Sequence, residues 1–161
     1  MQIDRATRDD IDGILALQEG NQPEIGGMLS ARLPAAWFEA ALDDMPIIVA
    51  RRDGRVVGYL VSASRTAVAE VPVIAAMLRA YPGAGDAYVY GPVCVAAEER
   101  GRGVAAAMFA ALRVELPRRE GILFIRTDNV ASLRAHGRMG VRRVATFEHD
   151  GAELAVFAYL G

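Results

Sequence analysis

The residue order predicts an α/β chain, an α+β mixed sheet with helices packed on it. Three observations carry this. Asp53-Gly54 separates two β-branched runs at residues 47–51 and 56–61. Asp150-Gly151 stands between two last strands at about 142–148 and 152–159. Asp-Gly between such runs is a strong hairpin signal, so both pairs are antiparallel. Between them stand a strand at 87–95, an Ala-rich helical stretch and a short apolar run at 122–125. A strand-helix-strand unit requires a parallel pair. Antiparallel pairs around a parallel centre make a mixed sheet, neither a bundle nor a barrel.

Each element has its own warrant. Residues 3–5 form a short first strand. Thr7 is a helix N-cap, and Asp10 is the acidic half of a capping box. Ile11, Ile14, Leu15 and Leu17 recur at helical spacing, giving a helix to about Gln18. Residues 20–27 are Gly/Asn/Pro turn chemistry, read as a mobile loop. Trp37, Phe38, Ala41 and Leu42 place a second helix from near Pro34. Val68, Val71, Ile74, Met77 and Leu78 mark a third over residues 67–80. The strand at 87–95 has a defect: Pro92 donates no ladder hydrogen bond, so it marks a bulge or an opening of the sheet. The Ala-rich helix runs from about Val104 to Pro117. Asp128 or Asn129 caps a last helix, ending near Gly140.

Composition narrows the function. The 161 residues fit one domain, residues 1–161, with enough chain for a core of its own. With 18 basic residues, all Arg, against 20 acidic ones, no basic surface predicts a nucleic-acid or anionic-membrane partner. Cys94 is the only cysteine, which excludes an intramolecular disulfide and a Cys-rich zinc site. His136 and His149 are the only histidines, so no metal site is expected. The first residues lack a signal-peptide pattern and no long apolar run follows, so the expected location is cytoplasmic.

Arg100-Gly101-Arg102-Gly103-Val104-Ala105 lies between a strand and a helix. Glycines bring backbone close to a ligand, and the first-turn N–H groups of a helix have no internal partners. Arg100 and Arg102 add positive charge, so the turn suits a pyrophosphate. An ordinary turn with two solvated arginines explains the same residues. Gly101-x-Gly103-x-x-Ala106 also matches a dinucleotide fingerprint. Three things oppose that reading. The first glycine stands six residues beyond Val95, helices and a hairpin precede the motif, and a hairpin ends the chain.

Taken together, these segments resemble the GCN5-related N-acetyltransferase superfamily. Its acyl-CoA motif, Gln/Arg-x-x-Gly-x-Gly/Ala, is matched by residues 100–105. Its Asn-x-x-Ala/Ser pattern, followed by Tyr four residues on and then Gly-Phe, stands here as Asn129-Val130-Ala131-Ser132, His136 and Gly140-Val141. The strand order matches across the chain, and Gly91-Pro92 falls where these proteins bulge their fourth strand. The resemblance implies a splayed central parallel pair holding the pantetheine arm of acetyl-CoA, the acyl-donor substrate. Val93 and Val95 would bond its amides, residues 101–105 its pyrophosphate, and Asn129 and Ser132 the pantetheine or thiol end. The Val93 N–H would polarise the thioester carbonyl.

The implied reaction is direct attack by a primary amine on the thioester. The amine must lose a proton and the thiolate must gain one. His136 stands where many relatives carry the Tyr acid, and imidazole donates near neutrality. A helix histidine turned to solvent or to a backbone carbonyl is the competing reading. No carboxylate lies within residues 87–95 to act as base. Tyr90, on one face of its strand with Tyr88, is a candidate for the substrate site, and Asp86 and Glu24 are loop candidates. Cys94 faces away from Val93 and Val95 and reads as a buried thiol. The expected acceptor is the amine of a small molecule or a peptide, and exposed strand edges permit a homodimer. A non-catalytic acyl-CoA-binding or sensor module is the alternative.

Overall fold

A computed structural model describes residues 1–22 and 32–161. Glu24 and most of the turn-rich stretch at 20–27 lie outside the described residues. The elements follow the predicted order: β1 (Gln2–Arg5), α1 (Ile11–Glu19), α2 (Ala35–Asp44), β2 (Ile47–Arg52), β3 (Arg55–Ser64), α3 (Pro72–Ala80), β4 (Tyr88–Val95), α4 (Val104–Glu115), β5 (Glu120–Arg126), α5 (Val130–Gly137), β6 (Arg142–His149) and β7 (Ala152–Leu160). The sheet is mixed and seven-stranded. The chain forms two compact units, residues 1–62 with 91–115, and residues 63–90 with 116–161. Strand β4 runs through both.

In the first unit β1, β2 and β3 pair antiparallel, with Val49 opposite Tyr59 and Ile48 opposite Leu60. Side chains alternate across a strand. Ile47, Val49, Tyr59, Val61 and Cys94 therefore share one cluster with Ile11 and Ile14 of α1 and Phe38 and Ala41 of α2. The other face receives α4, whose Val104 and Met108 come so close to Gly58 that a Cβ there would lie 3.2–3.3 Å from them. Both faces are covered, which is why β2 begins with four buried residues.

In the second unit β5 pairs parallel with β4, setting Tyr88 opposite Gly121 and Val89 opposite Ile122. It pairs antiparallel with β7, which in turn pairs with β6. Ile122, Ala155, Val156 and Ala158 are fully buried. Helix α3 packs on β6.

Several boundaries differ from expectation. The third helix begins at Pro72, not 67, because proline at the first helical position starts a helix and the residue before it is held extended. The last helix ends at Gly137 rather than near Gly140; Gly140, at φ +79°, stands beyond the end. Thr7 and Asp10 do pair, with the Thr7 N–H donating to Asp10 Oδ2 at 2.8 Å, but they close a 3-10 turn at Arg8–Asp10 that precedes α1. Between Asn129 and Asp128, Asn129 is the cap: its Oδ1 accepts from the Ser132 N–H at 3.2 Å.

Candidate functional site

The glycine turn belongs to the first unit. Gly101 and Gly103 take φ +73° and +79°, the left-handed region that costs other residues about 1–2 kcal/mol. A Cβ at either would meet nothing within 4 Å, so conformation and not crowding selects glycine. The space beside the turn is open. The Ala107 N–H bonds to the Gly103 carbonyl at 3.0 Å, which starts the ladder of α4. The N–H groups of residues 104–106 precede that bond and carry the positive end of the helix dipole.

The two arginines of the turn are not equivalent. Arg100 donates through Nη2 to Asn21 Oδ1 and through Nε to the Val95 carbonyl at 3.2 Å. Asn21 is buried and also donates to the Leu17 carbonyl at 2.7 Å. Arg100 therefore ties the end of β4 to the end of α1. Arg102 is exposed and lies 3.6 Å from Glu99, itself only 4 % exposed. Glu99 accepts two hydrogen bonds from Arg52, at 2.6 and 3.1 Å. That fork holds the Glu99 carboxyl below its ordinary value and anchors the turn to β2. Spacing along the chain gives Asn21, Arg52 and Glu99 a place in turns or at strand ends but no role in the site; only packing brings them to it.

On β4, Val93 and Val95 are half-buried and Cys94 is buried between them, as alternation requires. The Gly91–Pro92 peptide is cis, with Gly91 at φ +110°. Burial pushes the Cys94 thiol up to about 11, which leaves it inert as a nucleophile.

The second unit brings together Tyr90, Ser132 and His136. His136 Nδ1 stands 2.9 Å from the Ser132 carbonyl and 3.3 Å from Ser132 Oγ, and Nε2 stands 3.0 Å from Tyr90 Oη. The Tyr90 and His136 rings meet edge to face at 5.5 Å. Both are buried, at 5 % and 4 % exposure. Burial lowers the His136 pKa below 6.5, the Ser132 carbonyl only partly opposing it. Burial also raises the Tyr90 phenol. Tyr88, the other tyrosine on this face, shares a 2.6 Å hydrogen bond with Tyr159 Oη. Spacing could not reveal these partnerships, since 46 residues separate Tyr90 from His136. Asn129 is half-buried at the head of α5. Asp86 accepts from Arg119 through its backbone carbonyl. Among the described residues no group of three His, Cys, Asp or Glu is placed to hold a metal ion, and no helix is long and apolar enough to cross a membrane.

The model of the acetyltransferase (GNAT) family matches residues 11–141. No curated protein matches the chain in sequence. Among solved structures, a ribosomal-protein-alanine N-acetyltransferase from Brucella melitensis aligns with TM-score 0.70 at 23 % identity, covering 100 % of each chain. The yncA protein of Salmonella typhimurium, solved with its cofactor acetyl-CoA, aligns at 0.73 and 18 %, covering 99 % of this chain and 93 % of that one. Arabidopsis thaliana NAA60, solved with a bisubstrate analogue, aligns at 0.69 and 17 %, covering 99 % and 97 %. At these identities the likeness is one of fold.

Proposed function

The chain belongs to the GNAT acetyltransferase family, and from that premise we propose that it transfers an acetyl group from acetyl-CoA to a primary amine, residues 1–161 acting as one catalytic domain. The observation that carries this is the turn at 100–105, with two left-handed glycines opening onto free space at the start of α4. Backbone N–H groups of residues 101–105 would receive the donor's pyrophosphate, with Arg102 adding charge. Arg100 would serve the same turn from its place between Asn21 and Val95. The backbone of Val93 and Val95 would bond the pantetheine amides, and Asn129 and Ser132 would border its thiol end. The donor is a substrate, consumed at each turnover, and supplies an activated thioester whose attack by an amine asks for no metal. Tyr90 and His136 would manage the proton.

The acceptor is the amine of a small molecule or peptide, and the enzyme works in the cytoplasm. The Brucella melitensis neighbour, by name an alanine N-acetyltransferase of a ribosomal protein, supports the peptide class. Light scattering tests the homodimer that the strand edges permit.

Thermal shift with acetyl-CoA, CoA, longer acyl-CoAs and NADH is the first test. A ligand at about 100 times its Kd adds about 2.7 kcal/mol, enough to raise Tm by several degrees. Acetyl-CoA should stabilise the protein and NADH should not. No shift with any CoA species overturns the reading. Release of CoA with a panel of amines then separates an enzyme from a binding module, which binds acetyl-CoA and releases none above background.

A further inference from the structure

We propose that Tyr90 and His136 form a two-way proton shuttle: the proton shed by the acceptor nitrogen is taken at Tyr90 Oη as the tyrosine's own proton crosses to His136 Nε2, and the reverse path returns it to the departing sulfur. The inference rests on the acetyl-transfer reading and deepens it, since it names the proton acceptor that no carboxylate of β4 supplies.

The hydrogen bonds assign the tautomer. A carbonyl oxygen only accepts, so the His136 nitrogen 2.9 Å from the Ser132 carbonyl carries the proton. Ser132 Oγ, at 3.3 Å, could donate to a bare Nδ1, but that would set a lone pair against the nearer carbonyl oxygen. With Nδ1 protonated, the neutral ring is bare at Nε2. Tyr90 Oη, 3.0 Å from Nε2, is therefore the donor. At rest the only N–H of the ring points into its own helix. His136 must accept a proton before it can give one.

The surroundings favour a shuttle over a sink. From α5 the ring meets the Ser132 carbonyl and hydroxyl. From β4 it meets Tyr90, behind which stands Tyr159 of β7 with Tyr88. Among the described residues no carboxylate or guanidinium contacts the ring. An imidazolium there would keep two hydrogen bonds, to the Ser132 carbonyl and to Tyr90 Oη, without moving an atom. It would have no anion to stabilise it, and burial disfavours it. It forms briefly and gives its proton back. The balance closes: the nitrogen–carbon bond forms, the carbon–sulfur bond breaks, and one proton passes from nitrogen to sulfur through Tyr90 and His136.

Two measurements test this. Nitrogen-15 NMR of the histidines in the full chain, with His136 assigned by its loss in His136→Gln, should show Nδ1 protonated and Nε2 bare at neutral pH. The opposite tautomer overturns the shuttle. CoA release from acetyl-CoA with the amine panel should then fall about 10²-fold in kcat for Tyr90→Phe and for His136→Gln. The double variant should fall no further, because the two act as one unit. The acid limb of the wild-type kcat profile should vanish in both single variants, while each keeps the acetyl-CoA thermal shift. Variants within about threefold of wild type, with the limb intact, overturn the shuttle and leave acetyl transfer standing. A wild-type protein that binds acetyl-CoA but releases no CoA overturns both.

Discussion

Two residues isolate single physical effects. Gly103 stands at φ +79° with no atom near a would-be Cβ. Gly103→Ala therefore adds backbone strain without a clash. It should lower stability by about 1 kcal/mol in urea unfolding and shrink the acetyl-CoA thermal shift. A variant as stable as wild type would mean the turn has relaxed out of the left-handed region. Tyr59 is the opposite case. Its ring is fully buried and packs edge to face on Phe38 at 6.0 Å. Its hydroxyl has no hydrogen-bond partner among the described residues, and burial raises its pKa. An unmade buried hydrogen bond costs about 1–3 kcal/mol. Tyr59→Phe keeps the ring and removes the orphan, so its urea midpoint should rise. A fall would show that the hydroxyl finds a partner in solution.

At the scale of elements, α5 is the piece whose integrity matters most. Asn129 caps it, and Ser132 and His136 lie one turn apart on it, so the cap and the Tyr90–His136 contact share one short helix. Losing the cap costs about 1 kcal/mol. Asn129→Ala should speed hydrogen exchange along residues 130–137, while Asn129→Asp, which keeps an acceptor, should not. If both behave alike, the cap is not what holds the helix. The α4 turn is held differently, by side chains from distant positions. Glu99 is forked on Arg52, and Arg100 on Asn21 and Val95.

Across the whole molecule these groups set the response to acid. Burial lifts the Asp10 carboxyl, but Arg51 and the Thr7 N–H outweigh it and hold it below 3.8. Arg52 holds Glu99 below 4.5. A carboxyl whose folded pKa is depressed stabilises the fold fully above its unfolded value and loses that contribution as pH falls through the folded one. His136 obeys the same sign at higher pH. Its folded pKa lies below 6.5, so unfolding takes up a proton once pH drops under that value. Urea midpoints should therefore fall in two stages, the first below about pH 6.5 from His136 and the second in the carboxyl range. His136→Gln should abolish the first stage and leave the second. Persistence of the first stage in that variant would mean that a group other than His136 carries it.

What the sequence determined by itself was local or periodic. Asp-Gly turns announced both hairpins, apolar spacing announced the helices, and Pro92 marked the irregular point of β4. The glycine pair before α4 was legible because its left-handed backbone admits few other residues. Its arginines were legible as charges but not as contacts. Proline displaced the predicted start of α3, because periodicity says where a helix can run and backbone sterics say where it begins. Tertiary structure alone decided which residues meet. It set Tyr90 against His136, Asn21 against Arg100 and Arg52 against Glu99. Such pairs form where strands and helices from remote stretches pack together, and hydrogen bonds there depend on distance in space, to which spacing along the chain gives no guide.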